Sequence, residues 1–428
     1  MLFHVKNLGL INEAEIRLNG ITVVTGKNNV GKSTIGKMLY CVNNVFLYDS
    51  IEKTKLMRIE RIILTHIKEA QFSPYVLKSM TEITQKTTFL SSLLYDKDFF
   101  DNHPERSLRN VFDQLFEEMP FKDMTAKLWE DPDFIEFFIN SLEKKILEVI
   151  NMADSEIRSA LMSIAVGVNF SGITHNIYCG DEATNLNLKF ENTNQAIKIL
   201  PTGEASIDGD VSTFLEEAIY IESPRVVQGS LTSTLDYGFD SRQRLLQLLT
   251  EDSNTDFFEQ KDIDLAIKTI LDKISLCVPG DLVKKNSFSD KLEYEENGHK
   301  FDLGNVSNGL KTFAIIKKLL VIGKLKKNGM LILDEPEIHL HPEWQLALVE
   351  ILVMLQKQFN LRILINTHSV YFLMAIEDYS RMYKTEDKCH YYLVERKENC
   401  SSCTDLTARI NEIYQEFAKP LDTLHNEV

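Results

Sequence analysis

The stretch that decides the fold is GITVVTGKNNVGKSTIGKMLYCV, residues 20–42. Residues 21–25 form a short run rich in β-branched side chains, which predicts a strand. Gly26 and Gly31 follow with four residues between them, and the residues after the next Lys-Ser pair have helical character. A strand, a loop with this glycine spacing and a helix form the pattern of a phosphate-binding loop. The sequence therefore predicts an anion site at the start of a helix.

Each part of this pattern has a chemical role. Loop N–H groups and the helix N-terminus hold phosphate oxygens. The Lys32 ammonium places a positive charge on the β- and γ-phosphates, and the Ser33 hydroxyl is a magnesium ligand. The predicted nucleotide-binding residues of the loop are Gly26, Asn28, Asn29, Gly31, Lys32, Ser33 and Thr34. The alternative, a strand-to-helix turn without a ligand, is disfavoured by the Lys-Ser pair.

A second informative stretch is LILDEPEIHLHPEWQ, residues 331–345. Its aliphatic start predicts a buried parallel strand that ends in Asp334 and Glu335. Ligands of α/β sheets lie at the carboxyl ends of the strands. An Asp there can hold magnesium through water, and the next Glu can polarise the attacking water of a phosphoryl transfer. The alternative is a solvated loop after a strand.

A third strand is predicted in LRILINTHS, residues 361–369. His368 at its end can contact a γ-phosphate, although a His at a strand end is more often an ordinary hydrogen-bonded residue. Between the two strands, apolar residues recur at helical spacing, and Pro342 suits the first turn of a helix. The unit is therefore predicted to be strand, helix and strand with a right-handed parallel crossover.

Zinc is the competing interpretation of the His and Cys residues. His339 and His341 stand two positions apart, but a third ligand with suitable spacing is not nearby in the sequence. The Cys-His pair at 389–390 and the later Cys400 and Cys403 also lack the ligand spacing and turn residues of a zinc knuckle. The sequence therefore disfavours zinc at both places.

Composition limits the class of protein. The chain has 428 residues, 44% of them hydrophobic, and a net charge of −16. Such an acidic chain would need a local basic patch to bind nucleic acid, and the basic run at 317–329 is better explained as a solvated helix face. A run of about 18 apolar residues is missing, which argues against a membrane span. The first residues lack a signal-peptide pattern, and six cysteines do not form a disulfide framework, so we expect a reduced, cytoplasmic protein.

The middle of the chain predicts the domain organisation. Lys32 and Asp334 are separated by 302 positions (334 − 32), far more than a compact nucleotide-binding fold needs. The sequence pattern is mostly helical at 50–165, without a sustained heptad. At 166–215 it alternates as short antiparallel strands do, and at 241–278 it is helical again. A hairpin should turn at 297–298, an Asn-Gly pair. The predicted segments are an N-terminal core part (1–48), a helical insertion (49–165), a β subdomain with the return to the core (166–240), a helical and hairpin segment (241–300) and a C-terminal core part (301–428).

With LGNVSNGLKTFAIIKKLL at 303–320, these motifs resemble an ABC-type ATPase. More narrowly, the chain is similar to the overcoming-lysogenization-defect and SMC/RecF-like branch of non-transporter ABC ATPases, which occurs in bacterial antiphage defence. The match covers roughly 1–45 and 215–395. Ser307 and Gly309 match the ABC signature, whereas Asn308 and Leu310 differ from the Gly and Gln of the transporter pattern. The resemblance implies an α/β fold of the ABC-type P-loop ATPase, with a parallel or mixed sheet core, an antiparallel β subdomain and a large helical insertion.

The resemblance also implies cofactors, partners and roles. ATP and Mg²⁺ are the cofactors, and a head-to-tail homodimer, or a higher homo-oligomer, closes on two ATP molecules. Lys32 and Ser33 hold phosphates and magnesium, and Asp334 supports the metal. Glu335 positions water and His368 is the switch. The implied ligands of the γ-phosphate across the dimer are Ser307 and Gly309.

Two departures from the family pattern affect the details. His341 stands where many members have an Asp that communicates between subunits. The Gln that should follow an early strand is not fixed, and Gln228 is a candidate. Some relatives carry a C-terminal toprim nuclease, but the 60 residues after His368 contain no Asp-x-Asp. We therefore expect an ATPase whose effector is a separate protein.

Three functions stay open at this point. The first is an ATPase that acts as the sensor or scaffold of a defence system and controls a separate nuclease or toxin. The second is a DNA-repair or chromosome-type ATPase that clamps DNA, which would make nucleic acid a partner. The third is the ATPase subunit of a transporter, which the altered signature and the large insertion disfavour.

Overall fold

The structure is a computed structural model of the 428-residue chain. It describes residues 1–69, 132–178, 180, 182–190, 193–209, 213–229, 238–251, 257–286 and 291–427. Residues 1–48 and 159–428 form one compact unit, and residues 49–158 form a second.

The described residues contain fourteen strands. They are β1 (Leu2–Leu8), β2 (Ile11–Arg17), β3 (Ile21–Gly26), β4 (Thr184–Lys189), β5 (Asn194–Ile199), β6 (Ala205–Gly209), β7 (Ala218–Ile221), β8 (Asp281–Lys284), β9 (Leu292–Glu296), β10 (His299–Asp302), β11 (Met330–Asp334), β12 (Arg362–Thr367), β13 (Cys389–Lys397) and β14 (Cys400–Asp405).

The same residues contain ten α-helices. They are α1 (Lys32–Val45), α2 (Ser50–Glu69), α3 (Pro132–Ile150), α4 (Asp154–Phe170), α5 (Ser241–Thr250), α6 (Phe257–Cys277), α7 (Asn308–Val321), α8 (Pro342–Phe359), α9 (Val370–Tyr383) and α10 (Ile410–Glu427). Helix α8 begins with Pro342, as the sequence predicted. It ends at Phe359, because the next residue, Asn360, has a left-handed φ of 50°.

Eleven strands of the first unit form one mixed sheet in the order β6-β5-β4-β1-β2-β14-β13-β3-β12-β11-β7. The five strands from β13 to β7 are parallel to one another. The strands from β6 to β2 pair antiparallel, and so do β13 and β14. The α/β prediction with a mixed sheet is confirmed, and so are the parallel strand-helix-strand unit β11-α8-β12 and the antiparallel strands β4 to β6.

Helices cover both faces of the parallel strands, which explains why these strands are apolar along their whole length. One face packs in a core with α6, α7, α8 and α9. Helix α1 lies on the other face. A Cβ added to Gly36 in α1 would stand 3.2 Å from a side-chain carbon of Ile332 and 3.3 Å from the amide nitrogen of Asn366. This close approach fixes the helix that follows the phosphate loop over β11 and β12.

A small second sheet in the same unit consists of β8, β9 and β10. Strands β9 and β10 form the predicted hairpin, and its turn residues Asn297 and Gly298 have φ values of 51° and 78°. Positive φ at both central positions is what a two-residue hairpin turn of type I′ requires. The predicted hairpin is confirmed, and it leads directly to the signature stretch at 303–320.

The second unit is helical wherever the structure describes it. Helices α2 and α3 pack through buried aliphatic residues such as Ile59, Ile63 and Ile146. The ammonium of Lys55 donates a hydrogen bond of 3.0 Å to the carbonyl of Ile150. Residues 70–131 of the predicted helical insertion lie outside the described residues. A search of the described residues finds no helix that is long and apolar enough to cross a membrane.

The start of β3 depends on a glycine with little room around it. Gly20 has a φ of 97°, and a Cβ there would stand 2.4 Å from the carbonyl oxygen of Lys388. We expect Gly20→Ala to lower the free energy of unfolding by about 2 kcal/mol, because it combines backbone strain with a collision. The measurement is denaturant unfolding of both proteins.

Gly167→Ala is the matched control. Gly167 lies inside α4, and an added Cβ there meets nothing within 4 Å. Since alanine favours a helix more than glycine does, this change should raise the free energy of unfolding by about 0.5–1 kcal/mol. Equal effects of the two substitutions would contradict the close contact of Gly20 with the start of β13.

Candidate functional site

The candidate site lies at the carboxyl ends of three neighbouring parallel strands. Strand β12 lies between β3 and β11, and its Asn366 pairs with Val24 on one side and with Asp334 on the other. The three strands therefore end at the same level of the sheet. This arrangement brings the phosphate loop, the acids after β11 and His368 to one edge, which is where α/β sheets bind ligands.

The phosphate loop has the backbone that its glycines allow. Gly26, Asn29 and Gly31 have φ values of 145°, 57° and 101°. A Cβ on Gly26 would stand 2.2 Å from the carbonyl oxygen of Val394 in the neighbouring strand β13. Helix α1 then begins without a side-chain cap and without an acidic residue in its first turn. Its first N–H groups therefore remain available to an anion.

In this structure the Lys32 ammonium folds back onto its own loop. It donates hydrogen bonds to the carbonyl oxygens of Gly26 (3.2 Å) and Lys27 (2.9 Å). Its third neighbour is Nε2 of His368, at 2.8 Å. When Nε2 of His368 is the acceptor, these three contacts use all three donors of the ammonium, and a phosphate oxygen would then have to replace one of them.

Burial and the neighbouring carboxylates have opposite effects on the pKa of Lys32. Burial lowers the pKa of Lys32, and the carboxylates of Glu335, Asp334 and Glu337 act in the opposite direction. A cation held among three carboxyl groups attracts them, but it cannot neutralise all of them. The site therefore has room for further positive charge, such as a divalent cation.

Asp334 ends β11 and accepts hydrogen bonds from three sides. Its donors are the Ser33 hydroxyl (3.0 Å), the Asn366 amide (2.9 Å) and the Tyr220 hydroxyl (3.2 Å). Burial raises the pKa of Asp334, and these hydrogen bonds offset part of the rise. Burial also raises the pKa of Tyr220 well above its ordinary value, so its hydroxyl stays a donor.

This group of oxygens fits Mg²⁺. Mg²⁺ prefers oxygen ligands and is usually held by one or two carboxylates, with water and substrate phosphates completing the shell. The Ser33 hydroxyl and the Asp334 carboxylate stand 3.0 Å apart. The side-chain oxygen of Asn366 is buried beside them and has no hydrogen-bond partner among the described residues. A cation here would also favour the ionised form of Asp334, which burial disfavours.

Glu335 and His368 form the next contact outward. Glu335 has a left-handed φ of 48°, and its N–H donates to the carbonyl oxygen of Asn366 at 2.8 Å. Its carboxylate lies 2.7 Å from Nε2 of His368. The same nitrogen lies 2.8 Å from the ammonium of Lys32. It can donate to the carboxylate or accept from the ammonium, but one ring nitrogen cannot do both at once.

Glu337 is a member of the site that sequence reasoning missed. It is 7% exposed, and one of its oxygens accepts from the Thr367 hydroxyl at 2.5 Å and from the His368 N–H at 2.9 Å. The other oxygen is buried and has no partner among the described residues. Glu337 thus ties the loop after β11 to the end of β12. The signal in the sequence was the third acid of Asp-Glu-Pro-Glu, but the motif alone does not say which strand it would contact.

The signature residues occupy a different part of the unit. Ser307 caps α7, and its hydroxyl accepts from the N–H of Leu310 at 3.3 Å. A Cβ on Gly309 would stand 2.8 Å from a side-chain carbon of Leu340 and 3.1 Å from the carbonyl oxygen of His339. The signature helix is therefore packed directly on the loop that follows Asp334 and Glu335.

The remaining loop residues line an open cavity. The cavity measures about 630 Å³, and Asn28, Asn29, Ser33 and Thr34 all contribute to its wall. This volume lies within the usual range of about 300–1,000 Å³ for ligand pockets. The structure thus gathers the predicted residues of the phosphate loop, apart from Gly26, with Glu335 and His368 around one space, and it leaves Ser307 and Gly309 elsewhere.

Gln228, the candidate for the Gln that follows an early strand, does not line this cavity. Its amide donates to the carbonyl oxygen of Leu303 at 3.1 Å. This contact links the turn after β7 to the start of the signature stretch. The role proposed for Gln228 stays a prediction.

The cysteines considered for zinc are spread along one hairpin. Cys400 pairs with Lys397 and Cys403 pairs with Val394, whereas Cys389 begins β13. Cys389 therefore lies eight positions along the strand from Lys397, or roughly 26 Å at the usual strand rise. Within the described ranges, no cluster of three or more His, Cys, Asp or Glu residues could hold a metal ion.

Several lysines of the basic run at 317–329 contact polar groups of the chain itself. Lys317 is 8% exposed and donates to the carbonyl oxygen of Gly280 at 3.0 Å, so the prediction of a solvated helix face is wrong for this residue. Lys324 forms an ion pair with Glu251. Lys326 lies 3.4 Å from a carboxylate oxygen of Glu216.

The contacts of Glu337 predict a pH-dependent stability. Burial raises the pKa of Glu337, and hydrogen bonds from the Thr367 hydroxyl, its own backbone and the His368 N–H offset part of the rise. The folded chain then holds this proton more tightly than the unfolded chain does. The resulting stabilisation is present below the ordinary glutamate pKa of about 4.3 and is lost as the pH rises through the folded value.

We therefore expect Glu337→Gln, which cannot ionise, to gain stability relative to the parent as the pH rises from about 5 to about 8. The measurement is denaturant unfolding of both proteins at each pH. Glu343→Gln is the control, since the Glu343 side chain is 85% exposed. If the Glu337→Gln variant and the parent changed in parallel with pH, the buried proton site would be excluded.

One stretch of the chain is similar to a probable ATPase. A stretch of 130 residues is 28% identical to the Retron Vc95 probable ATPase of Vibrio cholerae serotype O1 biovar El Tor, and it covers 28% of this chain and 24% of that relative. The matched part thus spans about a quarter of the relative's length.

Solved SMC head domains also match, with low scores. An Smc head bound to the C-winged helix domain of ScpA has a TM-score of 0.45 at 11% identity, over 96% of this chain and 98% of that one. The SMC head domain from Thermotoga maritima has a TM-score of 0.38 at 10% identity, over 94% and 97% of the two chains. TM-scores this low do not establish a shared fold, and the fold described above rests on the strand order of this chain.

The family model described as AAA ATPase domain matches residues 1–373. This range is most of the chain and includes the phosphate loop, the acids after β11 and His368. The chain therefore belongs to the AAA ATPase domain family.

Proposed function

We propose that this chain binds ATP at the phosphate loop and hydrolyses it. The observation that carries the proposal is the meeting of three separate motifs at one edge of the sheet. Ser33 contacts Asp334 at 3.0 Å, although 301 positions separate them in the chain. Lys32 contacts His368 at 2.8 Å across 336 positions. An ATPase needs a phosphate-binding lysine, a metal-binding oxygen pair and a group that orients water, and these contacts bring all three together.

Each residue has a separate task in this proposal. The loop N–H groups and Lys32 bind the phosphates, and Ser33 and Asp334 hold Mg²⁺. The bound Mg²⁺ neutralises charge on the phosphate oxygens. Glu335 orients the attacking water and accepts its proton, as a general base does.

His368 has the contacts expected of a switch. Its Nε2 atom lies between Glu335 at 2.7 Å and Lys32 at 2.8 Å. If a γ-phosphate oxygen accepted the hydrogen bond of the Lys32 ammonium in place of His368, the Nε2 atom would be free to bond to the Glu335 carboxylate or to the phosphate. The presence of the γ-phosphate would thereby change the hydrogen bonding of the loop after β12.

We also propose that two copies complete each site. Ser307 and Gly309 lie at the start of α7 and contact their own subunit rather than Lys32. In a head-to-tail homodimer, or a higher homo-oligomer, they would face the γ-phosphate of the other copy. The contact of Gly309 with the loop after Glu335 would then connect the two sites.

The biological role we propose is that of a sensor or scaffold in a bacterial antiphage defence system. Two facts support it: the resemblance of the motifs to antiphage-defence ATPases, and the similarity of 130 residues to the probable ATPase of a retron. In this role the nucleotide state would hold or release a separate effector protein, such as a nuclease or toxin.

The alternative role is a DNA clamp. The net charge of −16 speaks against broad contact with DNA. Three lysines of the basic run are engaged with the chain's own carbonyl and carboxylate groups. A clamp would show ATP turnover that nucleic acid stimulates and that falls steeply with salt.

Two substitutions separate binding from hydrolysis. Lys32→Ala should abolish ATP binding and turnover, because it removes the buried cation of the loop. Glu335→Gln should keep ATP binding and lower the rate of hydrolysis by about 10²–10⁴-fold, the usual contribution of a general base. Equilibrium binding and phosphate release measure the two effects.

Lys37→Ala is the control for the loss of a lysine from α1. Lys37 forms an ion pair with Glu222 at 2.9 Å, and this variant should bind ATP like the parent. Unchanged ATP binding by Lys32→Ala would overturn the phosphate-loop assignment. An effector that depends on nucleotide state should co-purify differently with Lys32→Ala and with Glu335→Gln in the presence of ATP.

The shared site has its own test. Ser307→Arg should block ATP-dependent dimerisation, because it places bulk and a cation at the interface, while each subunit still binds ATP through Lys32. Val321→Arg is the control, since Val321 is 50% exposed in the last turn of the same helix. Sedimentation with and without ATP measures the association.

Mixing sharpens this test. A mixed dimer of Ser307→Arg and Lys32→Ala has one composite site with both lesions and one with neither. If the two sites act independently, mixing should restore part of the turnover, and if they act together it should restore none. A Ser307→Arg protein that dimerises with ATP and hydrolyses it at the parental rate would contradict the composite site.

A further inference from the structure

A short segment outside all the motifs, residues 173–178, forms another wall of the cavity that contains the phosphate loop. This segment is held firmly by its buried positions. Thr174 is 1% exposed, and its carbonyl accepts from the N–H of Gly9 at 2.6 Å. Its hydroxyl accepts from the hydroxyl of Thr184 in β4 at 2.9 Å.

Asn176 is the second anchor. It is 2% exposed, and its N–H donates to the side-chain oxygen of Asn7 at 3.2 Å. Its amide nitrogen donates to the carbonyl of Asn399 at 3.1 Å, and its amide oxygen accepts from the N–H of Tyr178 at 2.9 Å. Buried polar networks of this kind fix a backbone in one conformation.

The residues on either side of the two anchors are apolar and exposed. Ile173, Ile177 and Tyr178 are 55%, 66% and 57% exposed, and all three line the cavity. Keeping such side chains in water is unfavourable, at about 25 cal/mol per Å². A segment that is firmly anchored and still presents three apolar side chains to a cavity is typical of a binding surface.

His175 adds its ring to this surface. It lines the same cavity, and its Nδ1 atom is buried without a hydrogen-bond partner among the described residues. A buried polar atom of this kind normally has a partner. Because this atom is closed off from the cavity, the surface offered to a ligand consists of the three apolar side chains and the His175 ring.

The position of the phosphate loop selects the ligand. Lys32 and Ser33 line the cavity together with Ile177 and Tyr178. A molecule with phosphates at one end and a flat ring with polar edges at the other matches both walls. An apolar peptide would match only the segment 173–178, and it would leave the phosphate loop unused.

We propose that residues 173–178 form the nucleobase-binding wall of the site, with a purine ring stacked on Tyr178 and lying beside His175. This inference rests on the proposed ATP-binding function and assigns a second part of the ligand to a second part of the cavity. Ile173 and Ile177 would provide further apolar contacts to the ring. The strand-end motifs would then bind the triphosphate, and this segment would provide the preference for a nucleoside.

The test compares ATP with inorganic tripolyphosphate, each with Mg²⁺, by calorimetric titration. Tyr178→Ala should weaken ATP binding roughly 30-fold, the middle of the range for loss of a base–aromatic stack. It should leave tripolyphosphate binding unchanged, because that ligand has no base. Tyr178→Phe keeps the ring and should retain the parental affinity for ATP. Tyr371→Ala is the control, since Tyr371 is also an exposed aromatic residue, at 70%, and lies outside the cavity walls.

The outcomes distinguish the two proposals. If Tyr178→Ala binds ATP as tightly as the parent, or loses affinity for both ligands by the same factor, the base wall is overturned and the phosphate site stands. If the parent binds neither ligand, or if Lys32→Ala weakens neither, the phosphate site is overturned and the base wall falls with it. A selective loss of ATP affinity in Tyr178→Ala supports the assignment.

Discussion

The pairing of β12 with β3 on one side and with β11 on the other sets the geometry of the whole site. Asn366 lies level with Val24 and with Asp334, so the loops that follow the three strands begin at the same height. A shift of one residue in either pairing would turn every side chain of a strand to the other face. Because both faces of these strands are buried, such a shift would be costly, and the register is correspondingly firm.

This register also concentrates charge. Asp334, Glu335 and Glu337 lie near one buried lysine, and burial raises the pKa of both Asp334 and Glu337. Buried carboxyl groups that outnumber their cations are costly in a site without a ligand. A magnesium nucleotide brings the missing cation and gives Lys32 a new partner, so binding would relieve a strain already present in the fold.

The sequence predicted the parts of the site that depend on local pattern. The phosphate loop, the acids at the end of β11, His368 and the Asn-Gly hairpin could all be found, because each combines a short motif with a strand or helix next to it. Glu337, Tyr220 and Asn366 could not be found in this way. Their roles depend on which strands are neighbours, and a single sequence does not contain that information in local form. The segment 173–178 is harder still, since its importance follows from burial of alternate residues and from the cavity it lines.

The position of β3 has a consequence for how the protein is made. Both neighbours of this strand in the sheet, β12 and β13, are synthesised more than 330 residues after it. Contacts this distant in sequence form slowly, and a strand with two unpaired edges is exposed to aggregation until they form. The site therefore cannot form before β12 has been synthesised, and a nascent chain that stops before β12 would display the phosphate-loop sequence without a sheet to hold it.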